Sequence, residues 1–440
     1  MAFQVLLGVL LFTLIGVLLG IITGLTPGIH VNTVALLIMA FSPVFFGISG
    51  SISAFLGAPE GTLIFISAII IGNLITHTFL DFIPSALFGA PDEDMALSVL
   101  PAHRLVLRGE GRKAIRISAT GSLHAVLIAL LLLIPAYIFF GVLNGYERLE
   151  PYIPYILMLI VAVLIAEEAE KGRIYSLYAI SIFLLSGIFG WIVLNGNTFS
   201  DAPMLMDGMR GSAPIFSGLL GLFGLPALIQ SAGVIKPVMK EKDEKSEGAG
   251  IKHSFLGTIS GAFVGWFPGV TSASATVLAS NLSGDRNEES FIGMMSAVNT
   301  SNAVFVILAL FVIGKARNGT LKVVQSMLSP EIWKNPVSPP SMLFILLFSV
   351  TIAAALSYPL TIFFGDVFLK RVEKVDYRSI SSYIMVFLLI LCLIMAGPVG
   401  LYVSAVATMI GLIPPLIGIN RVHLMGFLIM PTILYFMGVA

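Results

Sequence analysis

GIITGLTPGIHVNTVALLI at residues 20–38 and GAFVGWFPGVTSASATVLA at residues 261–279 share the pattern G-x-x-P-G, followed by small, hydroxyl and apolar side chains. Proline removes a backbone donor and clashes with the preceding turn of a helix, and the adjacent glycine adds conformational freedom. The pattern predicts a broken helix or a re-entrant hairpin at each motif, with a new helix starting just after each glycine. The alternative is a proline-kinked helix whose small residues allow close packing.

The surrounding sequence is strongly apolar. Hydrophobic residues make up 57% of 440 positions, charged residues only 11%, and the mean hydropathy is +0.99. A soluble domain is about one quarter charged, and a membrane span needs roughly 20 apolar residues. The composition therefore predicts an all-α integral membrane protein with about ten to twelve membrane segments, located as a multi-pass protein in the cytoplasmic membrane. Phe3–Ile22 lacks a basic region before it and is interpreted as a first transmembrane helix.

Charged residues cluster in the segments between the apolar runs. Short loops rich in Lys and Arg tend to be cytoplasmic, which favours this side for Arg104–Arg116, the central polar segment and Lys370–Arg378. The formal net charge is zero, which argues against a nucleic-acid partner. The single cysteine, Cys392, lies in an apolar run, so the sequence contains no disulfide framework.

The chain is predicted to consist of two related halves. Residues 236–253 form a polar linker between an N-terminal repeat, 1–235, and a C-terminal repeat, 254–440. Besides the paired motifs, NLITH at 73–77 resembles NTSNA at 299–303, and GLFGLPALI at 221–229 resembles GFLIMPTIL at 426–434. Transporters commonly arise from such duplications, often inverted, with a binding site where the repeats meet. We therefore expect an inverted repeat.

The helix starts after the two motifs are candidate anion sites, because they offer free N–H groups and the positive end of the helix dipole. Nearby hydroxyl, amide and imidazole groups are suitable neutral donors. The predicted substrate-binding residues are Gly24, Pro27, Gly28, His30, Asn32 and Thr33 in the first half, and Gly265, Pro268, Gly269, Thr271, Ser272, Ser274, Asn299 and Asn302 in the second. Plain interhelical hydrogen bonding is the alternative role for the two asparagines.

A second group of polar residues is predicted to couple an ion. Asn73, His77 and Asp81 recur every four residues, on one face of an otherwise apolar helix. A carboxylate beside an imidazole can coordinate Na⁺ or carry a proton. The alternative for Asp81, which precedes Ile83-Pro84, is an interfacial helix cap.

No pattern indicates an enzyme. The sequence lacks H-E-x-x-H spacing, a G-x-S-x-G elbow and a Walker-type loop. We expect no catalytic residue, no metal site and no cofactor beyond Na⁺ as a coupling ion.

These motifs resemble the large membrane subunit of the tripartite tricarboxylate transporters. Ile83–Ala114 looks like that family's segment after its first polar helix, Asn299–Asn302 like its paired-Asn segment, and Gly218–Ile229 like the end of its first half. The chain departs from the pattern at Pro101-Ala102 and at Gly314–Gly319, as in a divergent member. The resemblance implies ion-coupled uptake of citrate-like carboxylates, with a small membrane subunit and an extracytoplasmic binding protein as partners.

The leading hypothesis is a secondary active transporter, or permease, for a small organic anion such as a di- or tricarboxylate, driven by a Na⁺ or H⁺ gradient. The alternative is a translocase of a lipid-linked phosphate such as polyprenyl phosphate, since other membrane families with duplicated Pro-Gly motifs resemble such carriers. Homo-oligomerisation is left open.

Overall fold

The computed structural model describes residues 2–26, 31–88, 99–196, 199, 213–232, 248–267, 270–285, 287–372 and 377–439. These residues are mainly helical and include no β-strand. The α-helices, numbered α1 to α19 in chain order, are Ala2–Leu25, Val31–Ala40, Ser42–Leu56, Gly61–Leu80, Phe82–Phe88, Val99–Leu107, Gly111–Tyr137, Gly145–Leu149, Ile153–Ala169, Arg173–Asn195, Ala213–Leu219, Leu225–Ala232, Ile251–Trp266, Ser272–Ser283, Glu288–Val312, Gly319–Leu328, Ser341–Val372, Tyr377–Ile417 and Gly426–Phe436.

Among the described residues, nine helical stretches are long and apolar enough to cross a membrane. One of them, Ser381–Ile417, folds back on itself within α18. Gly397 has φ 66° and ψ −168°, and the Cys392 Sγ and Ser404 Oγ atoms lie 3.3 Å apart. In a straight helix these positions would be about 18 Å apart along the axis. The nine stretches, one of them folded back, agree with a multi-pass membrane protein.

The helix is interrupted at both Pro-Gly motifs, as the sequence predicts. Helix α1 ends at Leu25 and α2 begins at Val31, while α13 ends at Trp266 and α14 begins at Ser272. Pro27, Gly28, His30, Pro268 and Gly269 themselves lie outside the described residues. The continuous kinked helix is therefore the wrong alternative.

In the second half the interruption forms a re-entrant hairpin. The Lys252 ammonium, at the start of α13, donates to the Ser283 carbonyl at the end of α14 over 3.1 Å. His253 Nε2 lies 2.9 Å from Asp285 Oδ2, and this hydrogen bond, with the charge of Lys252, lowers the pKa of Asp285. The start of α13 and the end of α14 therefore lie at the same side of the molecule. The predicted linker, 236–253, overlaps the first three residues of α13.

In the first half, α2 and α3 also lead back towards the start of α1. Gly57 follows α3, and a Cβ on it would lie 3.5 Å from Nε2 of Gln4 in the first turn of α1. A residue of α3, Ser49, donates to the Thr62 carbonyl over 2.7 Å at the start of α4. The chain therefore returns to the side of the molecule where α1 begins, and α4 then crosses the molecule again.

Glycines place two pairs of helices in backbone contact. A Cβ on Gly16 of α1 would lie 2.3 Å from the Ile69 carbonyl oxygen of α4, and Gly24 lies beside Leu80. A Cβ on Gly257 of α13 would likewise lie 2.5 Å from the Met294 carbonyl oxygen of α15. Residue numbers rise together along both contacts, since Gly265 lies beside Phe305. Each pair is consequently parallel.

The two pairs run in opposite directions. Helix α17 runs with the first pair, because Thr13 donates to Ser349 over 2.9 Å and Ser357 donates to Thr76 over 2.9 Å. Helix α7 runs with α15, because Gly121 packs on Gly293 and Gly141 lies beside Val312.

Helix α7 is also antiparallel to α17. Its start is tied to the end of α17 by Arg112 and Asp366, 3.0 Å apart. Its end stacks Tyr137 on Trp333, which precedes α17. Opposite directions are what an inverted duplication requires, and the duplication itself stays a prediction.

Candidate functional site

A buried carboxylate joins the two halves. Asp81 follows the last residue of α4 and is 3% exposed, and the Nδ2 atom of Asn299 donates to its Oδ2 over 2.8 Å. Asn299 lies near the middle of the 25-residue helix α15. Because a carboxylate at this depth has lost most of its hydration, its charge must be compensated locally. Asp81 occupies the C-cap position of α4, as the alternative from the sequence has it, but it is buried inside the protein, and its role in ion coupling stays a prediction.

The other two residues of the predicted stripe meet a threonine of α1. Thr23 Oγ1 donates to Asn73 Oδ1 over 3.1 Å, and His77 Nδ1 lies 3.1 Å from the same hydroxyl. All three side chains are buried. Thr23 reaches them because Gly20 and Gly24, on either side of it, let α1 approach the backbone of α4. The sequence pattern includes Asn73, His77 and Asp81 but misses Thr23, whose position one turn before Pro27 is the signal that could have found it.

Some buried donors in the two helix pairs lack a hydrogen-bond partner among the described residues. They include Nδ2 of Asn73, Nε1 of Trp266 and Oγ1 of Thr300. Trp266 is the last residue of α13, within the second motif, and it is fully buried. An unsatisfied buried donor in a protein usually indicates a water molecule or a ligand.

The predicted anion-binding side chains that the structure describes have hydrogen bonds of their own. Thr271 and Ser274 form a reciprocal capping box at the start of α14, with the Ser274 amide donating to Thr271 Oγ1 over 3.2 Å. Asn32 Oδ1 accepts from the amide and hydroxyl of Thr320, each over 2.8 Å, in the first turn of α16. Ser272 is fully buried. These contacts stabilise the helix starts, and substrate binding by these residues stays a prediction.

The remaining predicted residues lie around this centre. Gly24 is the last glycine of α1 that contacts α4 closely. Gly265 is the last glycine of α13 that contacts α15 closely. Asn302 is half-buried on α15, one turn beyond Asn299. Its backbone nitrogen would lie 3.1 Å from a Cβ on Gly261. Thr33 lies in α2, and its side chain is outside the described part of the chain. Nothing in the described ranges brings together three His, Cys, Asp or Glu side chains that could hold a metal.

We expect Thr23→Val to weaken ion coupling without unfolding the protein. Valine keeps the shape of threonine but removes the hydroxyl that Asn73 and His77 share, and leaving buried polar groups unsatisfied costs about 1–3 kcal/mol. The concentration of coupling ion that half-saturates uptake should rise at least about fivefold. Thr78→Val is the matched control, because Thr78 is also buried but donates only within its own helix, to Ile75 over 2.9 Å. Equal ion dependence in both variants would remove Thr23 from the site.

Comparison with known proteins agrees with this architecture. The model of the tripartite tricarboxylate transporter TctA family matches residues 10–426. The uncharacterised protein MJ1079 of Methanocaldococcus jannaschii is 30% identical over 422 residues, which cover 93% of this chain and 94% of that protein. No solved structure matches the chain. A match over nearly the whole length, on a multi-helix membrane fold, shows that the chain belongs to the tripartite tricarboxylate transporter TctA family.

Proposed function

We propose that this protein is a secondary active transporter for a small organic anion of the di- or tricarboxylate class, coupled to a Na⁺ or H⁺ gradient. The observation that carries the proposal is the hydrogen bond from Asn299 to the buried Asp81, which joins the two oppositely directed helix pairs. A group held between two mobile units can respond when those units move apart. Membership in a transporter family also favours transport over catalysis.

Asp81, Asn73 and His77 are the proposed coupling residues. Carboxylate and amide oxygens are suitable ligands for a hard cation, and Asp81 or His77 is a suitable proton carrier. Thr23 links Asn73 and His77 through its hydroxyl. A cation or proton bound here would offset the charge of a substrate anion close by.

The anion itself is proposed to bind between the two interrupted helices. The new helix starts at Val31 and Ser272 supply partial positive charge. Each half also contains a buried donor without a hydrogen-bond partner among the described residues, Asn73 Nδ2 in the first half and Trp266 Nε1 in the second. Neutral donors of this kind hold a carboxylate weakly enough for release. The same pairing of helix starts with polar side chains is typical of transporter sites.

Partners and orientation follow from the family and the charges. We propose that a small membrane subunit and an extracytoplasmic binding protein assist uptake, as the family's tripartite organisation implies. The end that carries Arg104, Arg108 and Arg112 is proposed to be cytoplasmic, according to the positive-inside rule. The membrane in question is proposed to be the cytoplasmic membrane.

Uptake into proteoliposomes tests the proposal. The purified chain, with and without a co-expressed small subunit and binding protein, is assayed with radiolabelled citrate, tricarballylate, succinate and malate under an imposed Na⁺ or pH gradient. We expect uptake of at least one carboxylate that stops when an ionophore collapses the gradient, and no uptake of glucose. Failure of every carboxylate in both preparations, together with flipping of a fluorescent polyprenyl phosphate, would favour the lipid-phosphate alternative.

A further inference from the structure

A cavity lies at the end of the molecule opposite the basic loops. It has a volume of about 540 Å³, between the end of α7, the short helix α8 and the segment that joins α15 to α17. Its lining includes Phe140, Tyr146, Trp333 and the lysines Lys315 and Lys334. Cavities of about 300–1,000 Å³ are typical of small-molecule sites. None of the residues predicted from the sequence to bind substrate or couple ions lines it.

The walls of this cavity are held by both halves of the chain. Tyr137 of α7 stacks on Trp333, with ring centroids 3.7 Å apart and planes 10° apart. The backbone N–H of Trp333 donates to Phe311 over 2.7 Å, and its indole N–H donates to Asn335 over 2.8 Å. Trp333 is therefore fixed at its backbone, its ring face and its ring nitrogen, so the cavity is preformed.

The charged side chains that line the cavity balance one another. The lining contains two lysines, Lys315 and Lys334, and two glutamates, Glu147 and Glu150, so its formal charges cancel. Lys315 donates to Glu150 over 3.0 Å, and this hydrogen bond raises the pKa of Lys315. Arg317 adds one further positive charge.

Arg317 lies beside the lining with its guanidinium carbon 4.5 Å from the centre of the Tyr146 ring. Its Nε and Nη2 atoms are buried and have no hydrogen-bond partner among the described residues. Because this part of the guanidinium is shielded from water, its charge is screened less than that of a fully solvated group and acts more strongly on the neighbouring cavity. The net field in the cavity thus favours an anion.

The floor of the cavity touches the second interrupted helix. Phe140 stacks on Trp266 with ring centroids 3.9 Å apart and planes 7° apart. Trp266 is the last residue of α13 and the second residue of the second motif, and its indole N–H lacks a partner in the described chain. A molecule in the cavity therefore lies beside an aromatic stack that connects the cavity wall to the end of α13.

We propose that this cavity is a separate reception site for the carboxylate substrate, where an anion binds before it passes the Phe140–Trp266 stack. Lys334 and Lys315 contact the carboxylate groups, and Arg317 strengthens the binding through its field. The rigid Trp333 wall keeps the site open while the Phe140–Trp266 stack separates it from the interior. This inference rests on the proposed function for the identity of the anion.

Binding measured without transport tests the inference. Citrate is titrated into the full chain in phosphatidylcholine nanodiscs by calorimetry, and tryptophan fluorescence is followed in parallel. We expect Arg317→Gln to raise the citrate Kd about fivefold and the exposed Lys334→Gln to raise it about two- to fivefold. Lys322→Gln is the matched control, since Lys322 is exposed on the nearby α16 but does not line the cavity. Its Kd should stay within about twofold of that of the unmodified protein.

Two further arms separate the possible outcomes. The fluorescence change on citrate addition should disappear in Trp333→Phe, although Trp191 and Trp266 remain. Adding phosphatidylglycerol to the nanodiscs should leave the citrate Kd unchanged, whereas competition would mean that a lipid headgroup occupies the cavity and would overturn the proposal.

The inference and the proposed function can fail separately. Citrate binding should persist in Asp81→Asn even if that variant no longer transports. Equal Kd values in the Arg317, Lys334 and Lys322 variants, or no citrate binding in any of them, would refute the reception site. In that case, uptake by the unmodified protein would still support the proposed function.

Discussion

We expect Asp81→Asn to lose at least about 99% of ion-dependent uptake while the protein still folds. Asparagine has the shape of aspartate and can still accept the hydrogen bond from Asn299 Nδ2, which spans 2.8 Å in the native protein. It cannot offer a full negative charge to a cation or exchange a proton. Hydrogen bonds and contacts with a charged group are worth about 1.5–3 kcal/mol each, so losing two of them lowers affinity by a factor of about 100 or more. Initial uptake rates, measured across Na⁺ concentrations and pH, check this.

Glu168→Gln is the matched control for Asp81→Asn. Glu168 is equally buried, at 3% exposed, but lies at the end of α9, where Asn420 N–H donates to it over 2.8 Å and Lys171 approaches within 2.7 Å. Its loss should lower thermal stability and leave the ion dependence of uptake intact. The coupling role of Asp81 is wrong if its variant transports normally under all ion conditions, or if both variants lose ion dependence equally.

Gly261→Ala and Gly16→Ala should each destabilise the fold strongly. The new methyl group at Gly261 would lie 2.0 Å from Ser301 Oγ and 2.5 Å from the Val298 carbonyl oxygen, and at Gly16 it would lie 2.3 Å from the Ile69 carbonyl oxygen. Since backbone atoms cannot rotate away, the helices must separate along their length. Overpacking of this kind costs about 3 kcal/mol. Thermal unfolding in detergent, followed by size-exclusion chromatography, measures the loss.

Gly47→Ala provides the control for these glycines. Gly47 lies in the helix α3, and a Cβ there would meet nothing within 4 Å. Alanine is favoured over glycine in a helix by about 1 kcal/mol, so this variant should be as stable as the native protein or slightly more so. If all three variants melt together, backbone contact at α1–α4 and α13–α15 is not what limits stability.

The sequence predicts those features that depend on neighbouring residues. A proline followed directly by a glycine, as at 27–28 and at 268–269, combines a missing backbone donor with extra conformational freedom, so the helix ends at Leu25 and Trp266 were predictable. The lengths of the apolar runs likewise predict the membrane-spanning helices. The direction of return after each break is not encoded locally, because it depends on partners such as His253 and Asp285, 32 residues apart.

The candidate site was predictable only in part for the same reason. Helical periodicity places Asn73, His77 and Asp81 on one face, and their burial is confirmed. It cannot reveal that Thr23 joins Asn73 and His77, or that Asn299 reaches Asp81 across 218 residues of sequence. Nor can it show that Asn32 caps α16, since α16 is far away along the chain. Tertiary contacts of this kind require the folded structure.

The ion pairs at the basic end determine how readily the molecule can change shape. Arg108 pairs with Glu288, Arg112 lies 3.0 Å from Asp366, and Lys113 lies 2.5 Å from Glu289, so α6 and α7 are fastened to the ends of α15 and α17. All of these side chains are partly exposed, and such pairs contribute only about 0.2–1 kcal/mol each. The three pairs together amount to about 0.6–3 kcal/mol, which corresponds to a population ratio of roughly 3 to 150. In the proposed transport cycle, pairs this weak would favour contact at that end and still let thermal motion separate it many times.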